Sequence, residues 1–315
     1  MISDISIDQA VSCREQWRAR RTEMERQRFG QLSRRALEKG YFSPIDYFLP
    51  GATLGLKMAS LYRKGRANAQ DIQIVEHELS FAQLPDAFDG YRILHLTDLH
   101  IDSLPGIEKA ICRRLDTLQY DACVLTGDYR YHAYGHYGPR VKRPLQQIIS
   151  HVKAPDGLYA TLGNHDTHAA VDMLEDMGVR VLANEHVTLE RQMGQITLTG
   201  VDDPHYYYTP AATQTLQQSG TGFKIALVHS PELYQEAAAH HYHLYLCGHT
   251  HGGQVCLPNG TPILKNLHKG HHLVEGLWQE RQMVGYTSRG CGVSGIPVRF
   301  FSRGEVTVFT LRKEG

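Results

Sequence analysis

Gly163-Asn164-His165-Asp166 (GNHD) directly follows a short apolar segment at residues 158–162. In a chain of this composition the four-residue string is expected on the order of 0.002 times by chance. Ligands of open α/β sheets bind beyond the carboxyl ends of buried strands, so a polar cluster that closes an apolar segment is typical of a site. The junction therefore predicts a strand that ends in a functional loop.

Four other polar clusters close apolar segments in the same way. In chain order they are Asp98-Leu99-His100, Gly127-Asp128, Val228-His229-Ser230 and Gly248-His249-Thr250-His251. The Gly-His-x-His pattern is expected roughly 0.1 times by chance, whereas Asp-x-His or Gly-Asp alone has no diagnostic value. All five clusters in this order, each at the end of a predicted strand, make a strong signal.

The apolar segments alternate with helical periodicities, which predicts an α/β fold with a buried sheet flanked by helices. Strands are predicted at residues 72–81, 93–97, 122–126, 158–162, 196–201, 224–228 and 244–247, and a β-rich region at residues 254–311. Helices are predicted at residues 107–118, 141–152, 169–177 and 231–240.

In such a fold the five clusters are expected to converge in one crevice. As candidate metal ligands they offer two Asp, one Asn and three or four imidazoles, and no cysteine is needed. This set of oxygen and nitrogen ligands suits Mn, Fe or Zn better than Cu or an iron–sulfur cluster. The sequence therefore predicts a metal site.

Charge is balanced over the 315 residues, with 33 Lys+Arg against 33 Asp+Glu, but it is distributed unevenly. Residues 1–66 hold 13 Lys/Arg and 7 Asp/Glu, a net charge of +6, so the remainder carries −6. A nuclease needs a basic surface that leads into its active site and binds the phosphate backbone. Here the excess of positive charge lies in residues 1–66, outside the region that carries the predicted metal site. Nucleic acid is therefore not expected as a partner.

The chain shows no secretory signal at its start, no run of about 20 apolar residues and no Cys-x-x-Cys pair among its six cysteines. Reduced thiols in the cytoplasm are the simpler interpretation. Peripheral association with the inner face of the membrane stays open because of the basic N-terminal region.

Residues 1–66 are predicted to form a helical appendage, and residues 67–315 the catalytic domain. A helix is expected at residues 8–39 with a break at Gly30, followed by an irregular link at residues 41–50. A short helix with an apolar stripe (Leu54, Met58 and Leu61) then closes with basic residues. The appendage covers the catalytic core, lies on an anionic membrane or, least favoured, binds nucleic acid.

The five motifs resemble those of the calcineurin-like metallophosphoesterase superfamily. The extension GHTHGGQ at residues 248–254 and the tail at residues 288–300 are similar to a bacterial branch that contains phosphodiesterases and hydrolases of UDP-diacylglucosamine. The superfamily likeness covers roughly residues 88–255, the branch likeness extends it to about residue 311, and residues 1–66 find no counterpart. The resemblance implies a two-layer β-sandwich of mixed sheets flanked by helices.

The resemblance also implies a site with two divalent cations, Mn first and Fe or Zn as alternatives. One cation would be held by Asp98, His100 and His251, the other by Asn164, His229 and His249, with Asp128 as the bridge. Two such cations activate a shared water, and the resulting hydroxide attacks phosphorus in line with the leaving oxygen.

His165 is expected to touch the substrate and to protonate the leaving group or stabilise developing charge, with Asp166 orienting its ring. Tyr129 and Arg130 begin an aromatic and basic loop at residues 129–143 that could grip the substrate. The alternatives for this loop are packing on its own tyrosines and, for Arg130, pairing with an acidic neighbour.

The expected function is hydrolysis of a phosphodiester or pyrophosphate bond in a small-molecule, nucleotide-linked or lipid-linked substrate. The alternative is a non-catalytic scaffold of the same fold that binds a partner through its basic N-terminal arm. Metal content separates the two, because a scaffold should purify with far less than two equivalents.

Overall fold

The computed structural model describes residues 7–38, 44–133 and 135–315. The strands run over Gln73–Phe81 (β1), Arg92–Leu96 (β2), Ala122–Thr126 (β3), Leu158–Thr161 (β4), Arg180–Val181 (β5), Glu185–Arg191 (β6), Gly194–Gly200 (β7), Phe223–Leu227 (β8), Leu244–Cys247 (β9), Gly276–Glu280 (β10), Met283–Thr287 (β11) and Glu305–Lys313 (β12). The α-helices run over Ile7–Glu38 (α1), Pro44–Met58 (α2), Tyr62–Gln70 (α3), Ile107–Leu115 (α4), Pro139–His151 (α5), Ala169–Glu175 (α6), Pro210–Gln217 (α7) and Tyr234–Ala239 (α8).

The strands form two six-stranded mixed sheets, in the orders β1-β12-β2-β3-β4-β5 and β10-β11-β9-β8-β7-β6. Strands β2 to β5 are parallel in the first sheet, and β7, β8, β9 and β11 are parallel in the second. Apolar side chains from both sheets, such as Val124 and Ile225, share one buried cluster between them. This arrangement confirms the predicted two-layer sandwich of mixed sheets.

Helices cover the outer face of each sheet. Ile111 of α4 and Leu145 of α5 pack on the first sheet, and Leu216 of α7 and Ala237 of α8 pack on the second. The predicted strands correspond to β1, β2, β3, β4, β7, β8 and β9 with ends that differ by at most two residues. Strands β5 and β6 and helix α7 were not predicted from the sequence.

The region at residues 254–311 contains less strand than its composition indicates. Only β10, β11 and most of β12 fall within it, and residues 288–304 form an irregular segment between β11 and β12. Gly290 and Gly295 lie in this segment with φ values of 69° and 66°, in the left-handed region that interrupts strands. The segment instead passes close to the loop that follows β2, since Cys291 donates its backbone N–H to the Thr97 carbonyl.

The N-terminal helices differ from the prediction in two ways. Helix α1 continues through Gly30, where the space beside the glycine is open, so the helix-favouring Arg, Glu and Gln residues around it prevail. Helix α2 occupies most of the expected link at residues 41–50, and Pro50 lies inside it. Residue 39 and residues 41–43, which also belong to these predictions, lie outside the described residues.

The basic cluster at residues 63–66 opens α3 rather than closing the preceding helix. Ser60, with a φ of 57°, turns the chain out of α2 before α3 begins. Helix α3 runs across residue 66, the proposed boundary of the appendage, which stays a prediction. Among the described residues, no helix combines the length and the apolar character needed to cross a bilayer.

Candidate metal centre

The predicted ligands converge at the carboxyl ends of strands from both sheets, and every one of them is buried. Asp98 and His100 follow β2, Asp128 follows β3, Asn164 follows β4, His229 follows β8, and His249 and His251 follow β9. The two sheets thus contribute to one site at a shared edge of the sandwich.

His100, His251 and Asp98 form one group. The Nε2 atoms of His100 and His251 lie 3.1 Å apart, and Asp98 Oδ1 lies 3.4 Å from His251 Nε2. Asp98 Oδ1 is buried and accepts no hydrogen bond from the described residues. Such converging acceptors need a positive charge between them, which a divalent cation provides.

Asn164, His229 and His249 form the second group. Asn164 Oδ1 lies 2.9 Å from His229 Nε2 and 2.8 Å from His249 Nδ1. Asp128 Oδ2 faces both groups, at 3.4 Å from His100 Nε2 and 3.5 Å from His229 Nε2. The Asp128 carboxylate therefore lies between the two groups.

The protons of two imidazoles are directed away from the centre of the site. His100 Nδ1 donates to the Arg130 carbonyl at 2.8 Å, and His229 Nδ1 donates to the Thr126 carbonyl at 2.7 Å. Because a carbonyl only accepts, Nδ1 of each ring carries a proton and Nε2 is the nitrogen that faces the site. Metal-ligating histidines are oriented in this way.

The electrostatics of the group also fit a cation. Burial lowers the pKa of His100 to about 3 and raises the pKa of Asp98 to about 6. Burial opposes the charges of Asp128 and His229, yet each stabilises the other, so the pKa of Asp128 falls well below its ordinary value and that of His229 rises. The site therefore favours a positive charge beside Asp128, which a metal ion supplies without a proton.

The backbone of the ligand loops is strained. Five predicted ligands have left-handed φ values, which are uncommon outside glycine and persist where the surroundings enforce them. They are Asp98 (50°), His100 (36°), Asp128 (58°), His249 (72°) and His251 (53°). The loops also approach so closely that a Cβ at Gly163 would collide with the Asp128 carboxylate, and one at Gly248 with that of Asp98. The glycines of the motifs are needed for these contacts.

His165 lies at the open side of the group. Its side chain is 22% exposed, its Nε2 lies 4.0 Å from Asp128 Oδ2, and its Nδ1 donates to the Tyr131 carbonyl. The ring of His100 packs edge-on against it, with centroids 4.8 Å apart. The imidazole can thus reach a ligand at the site while its orientation is fixed by Tyr131.

Asp166 does not take the position expected of it. Its carboxylate accepts the backbone N–H groups of Asp128 at 2.7 Å, Gly163 at 2.8 Å and Tyr129 at 3.1 Å, and the His165 ring is bonded to the Tyr131 carbonyl instead. The interpretation that Asp166 orients the ring is therefore corrected. Asp166 thus bonds the loop after β3 to the loop after β4. Burial raises the pKa of its carboxyl group to about 6.

Tyr129 and Arg130, predicted as substrate contacts, are buried within the protein. The Tyr129 hydroxyl donates to the Thr161 carbonyl at 2.6 Å. Arg130 donates to the carbonyls of His165 at 3.0 Å and Gly135 at 2.6 Å. These contacts favour the alternative of a loop that packs on itself, with Arg130 bonded to carbonyls rather than to an acidic neighbour. Within this loop, Tyr134 lies outside the described residues.

A second cluster beside the ligands was not predicted from the sequence. His205 Nδ1 lies 2.9 Å from Glu232 Oε1, which also accepts the backbone N–H of His268 at 2.7 Å. The ring of His205 packs on that of His249, with centroids 4.2 Å apart. His205 follows β7 in the way that the predicted ligands follow their strands. The search for polar residues after the carboxyl ends of predicted strands could therefore have found it.

The family model for calcineurin-like phosphoesterases matches residues 91–253 of this chain. The metallophosphoesterase YkuE of Bacillus subtilis is 29% identical over 294 residues, which cover 90% of this chain and 98% of YkuE. A match of that extent includes part of residues 1–66, so the expectation that this region finds no counterpart was wrong. The phosphodiesterase YaeI of Escherichia coli is 28% identical over 76% of this chain and 88% of its own.

Among solved structures, phosphopantetheinyl hydrolase of Mycobacterium tuberculosis aligns with 64% of this chain and 89% of its own. The TM-score is 0.40 and the sequence identity 12%. The matched family model spans every predicted ligand, and the described structure brings those ligands together. The chain belongs to the calcineurin-like phosphoesterase family and is a metal-dependent phosphoesterase.

Proposed function

We propose that the protein hydrolyses a phosphodiester or pyrophosphate bond with two divalent cations, Mn in preference to Fe or Zn. The observation that supports this most strongly is the position of Asp128 Oδ2, which faces both His100 and His229 at about equal distance. Asp98, His100 and His251 would hold one cation, and Asn164, His229 and His249 the other. When bound, the cations would supply an activated water and neutralise charge on the phosphoryl oxygens.

His165 provides the acid for the leaving group in this proposal. The Tyr131 carbonyl accepts the Nδ1 proton, so the reacting ring must carry a second proton on Nε2, and Nε2 is the atom that gives that proton to the departing oxygen. Asp128 Oδ1 also accepts the backbone N–H of His165 at 2.8 Å, so the ring is placed relative to the bridging carboxylate. A proton donor favours esters and anhydrides whose leaving groups are poor.

A lipid-linked substrate is supported by a cavity of about 420 Å³ between α2 and residues 295–297. Its lining is largely apolar, with Leu54 and Ile296 on opposite sides and Lys57 beside them. Tyr131 also lines it, and the carbonyl of Tyr131 holds the His165 ring. An amphiphilic substrate could thus place its apolar part in the cavity and its phosphate at the site.

Peripheral association with an anionic membrane is part of the same proposal. Leu54 and Met58 of α2 are exposed, as is Leu61 beyond the turn at Ser60, so the stripe predicted on one helix is interrupted; Lys57 and Arg63 lie near them in the chain. Exposed apolar side chains beside basic residues are typical of helices that lie in the membrane interface. A nucleotide-linked substrate is the other candidate, and the experiment below distinguishes the two.

The test is hydrolysis by metal-reconstituted protein of a diester, a monoester and a UDP-linked pyrophosphate carrying acyl chains, with the deacylated compound beside it. Diester or pyrophosphate turnover that Asp128→Asn abolishes is the expected result, and faster turnover of the acylated form would favour a lipid-linked substrate. Bound metal together with no turnover of any compound would contradict the proposal. Absence of both metal and turnover would favour the scaffold alternative.

His165→Ala separates catalysis from metal binding. The loss of a general acid typically costs about 10² to 10⁴ in rate, so turnover should fall by that order while the metal content stays near that of the wild type. His186→Ala, on an exposed part of β6, is the matched control and should change neither. Equal losses of metal and turnover in His165→Ala would make His165 a structural residue.

A further inference from the structure

Three charged side chains of α1 face the segment after β4: Arg21 and Arg28 bond the GNHD loop, residues 163–166, and Glu25 accepts the backbone N–H of His168 just beyond it. Their spacings of four and three residues place them one above another on the same side of the helix. Arg21 and Glu25 are buried, and Arg28 is half-buried. The polar face of α1 is therefore directed at a loop that holds a predicted metal ligand.

Every backbone carbonyl of the GNHD loop accepts a hydrogen bond from an arginine side chain. The bonds are Arg21 Nη2 to Gly163 O (3.2 Å) and Asp166 O (2.8 Å), Arg28 Nη1 to Asn164 O (2.6 Å), and Arg130 Nε to His165 O (3.0 Å). Three of these four carbonyls are thus bonded from α1. Since the loop lies between β4 and α6, these bonds fix a backbone that belongs to neither element.

The arginines of α1 are themselves held in place. Arg21 pairs with Asp202 and Glu25, and its guanidinium lies 3.4 Å from the centre of the Tyr207 ring. Arg28 lies over the ring of Tyr206 at 3.8 Å. Buried ion pairs contribute little net stability because desolvation offsets their attraction, but the fixed fork of a guanidinium is well suited to defining a position.

The loop matters for one half of the candidate metal centre. Asn164 Oδ1 lies 2.8 Å from His249 Nδ1, so a shift of the loop backbone would move this oxygen away from its partners. Asp98 and His251, by contrast, follow β2 and β9, and none of the arginine bonds from α1 described above reaches them. A change in α1 should therefore affect the two metal positions unequally.

We propose that Arg28, supported by Arg21, is a positioning residue for the metal position formed by Asn164, His229 and His249. The affinity of this position depends on α1, and the affinity of the position formed by Asp98, His100 and His251 does not. The inference rests on the two-metal function proposed above. It makes α1 part of the metal centre rather than a separate appendage.

The experiment is a titration of full-length, chelator-treated protein with Mn²⁺, followed by calorimetry and electron paramagnetic resonance. In Arg28→Gln the second Mn²⁺ should bind roughly 10- to 100-fold more weakly, as is typical when a partner of a metal ligand is removed, while the first is unchanged. Arg28→Lys keeps a charged donor and should restore most of the affinity. Arg18→Gln removes the same charge from α1 at an exposed pair with Asp172 and should bind both ions as the wild type does.

Wild-type affinity for both ions in Arg28→Gln would overturn the inference. Equal weakening of both ions would overturn it as well, because it would indicate a general loss of structure. A wild-type protein that binds fewer than two Mn²⁺ would overturn the proposed function itself. The two failures are therefore distinguishable within one titration series.

Discussion

Helices α1 and α2 both come from the basic N-terminal region, but α1 buries charged side chains whereas α2 leaves apolar side chains exposed. In α1 the charged Arg21 is 1% exposed, whereas in α2 the apolar Leu54 is 59% exposed and Met58 is 79% exposed. The usual ranking of residues by burial would place them the other way round. The difference shows that the partner available to a side chain, and not its polarity alone, decides where it lies.

The partners explain the reversal. Arg21 finds two carboxylates, Asp202 and Glu25, and two carbonyls, so its charge is neutralised and its N–H groups are bonded. Of the two exposed apolar side chains of α2, Leu54 lines an open cavity beside Ile296, and Met58 is not part of its lining. Helix α1 is therefore expected to behave as part of the enzyme core, and α2 as a surface that can contact a membrane.

Arg21→Ala should have the largest effect on stability. It leaves Asp202 and Glu25 as buried carboxylates without their cation, which typically costs about 3 to 5 kcal/mol. The measurement is urea unfolding, and Arg20→Ala on the exposed side of the same helix is the control, with an expected change within about 0.5 kcal/mol. Similar free energies of unfolding for the two variants would mean that α1 is not part of the core.

Trp17→Phe tests the same attachment with a smaller change. The indole N–H of Trp17 donates to Asp202 Oδ2 at 2.8 Å, and a hydrogen bond to a charged group contributes about 1.5 to 3 kcal/mol. Trp278→Phe is the matched control, because Trp278 donates to the neutral Thr287 hydroxyl at 2.9 Å. The loss in free energy of unfolding should be larger for Trp17→Phe, and the reverse order would contradict the role assigned to Asp202.

Met58→Glu should leave stability almost unchanged, within about 0.5 kcal/mol, because the side chain is exposed. It should nevertheless reduce co-sedimentation with anionic vesicles at low salt, since a negative charge replaces one of the exposed apolar side chains of α2. Met193→Glu makes the same change at a fully exposed methionine between β6 and β7 and should sediment like the wild type. Equal behaviour of the two variants, or a wild type that does not sediment, would count against the membrane proposal.

Local patterns predicted the buried strands and the convergence of the ligands, whereas the two-layer sandwich was implied by the resemblance to the family. Each buried strand, such as β3 and β9, is a short apolar run that ends in a polar motif, and parallel strands bring those ends together. Strand β5 has only two residues, which are too few to form a recognisable apolar run. Strand content after residue 254 was overestimated because apolar residues there also serve irregular segments.

Orientation and long-range pairing could not be predicted. Asp166 stands next to His165 in the chain, but its carboxylate turns to three backbone N–H groups, and adjacency in sequence does not fix that direction. Arg21 and Asp202 lie 181 positions apart, so a single sequence gives no sign that they meet. Composition showed that the N-terminal region is basic. Only the contacts distinguish α1, which packs on the core through buried charged residues, from α2, which leaves apolar side chains exposed.

The most direct measurement is the number of metal ions bound by Mn-reconstituted protein after extensive dialysis, counted by mass spectrometry for the wild type and for Asp128→Asn. Two equivalents in the wild type and a clear loss in Asp128→Asn are expected, because Asp128 Oδ2 faces both ligand groups. One equivalent or none in the wild type, or two equivalents retained at unchanged affinity in Asp128→Asn, would contradict a bridged pair of cations.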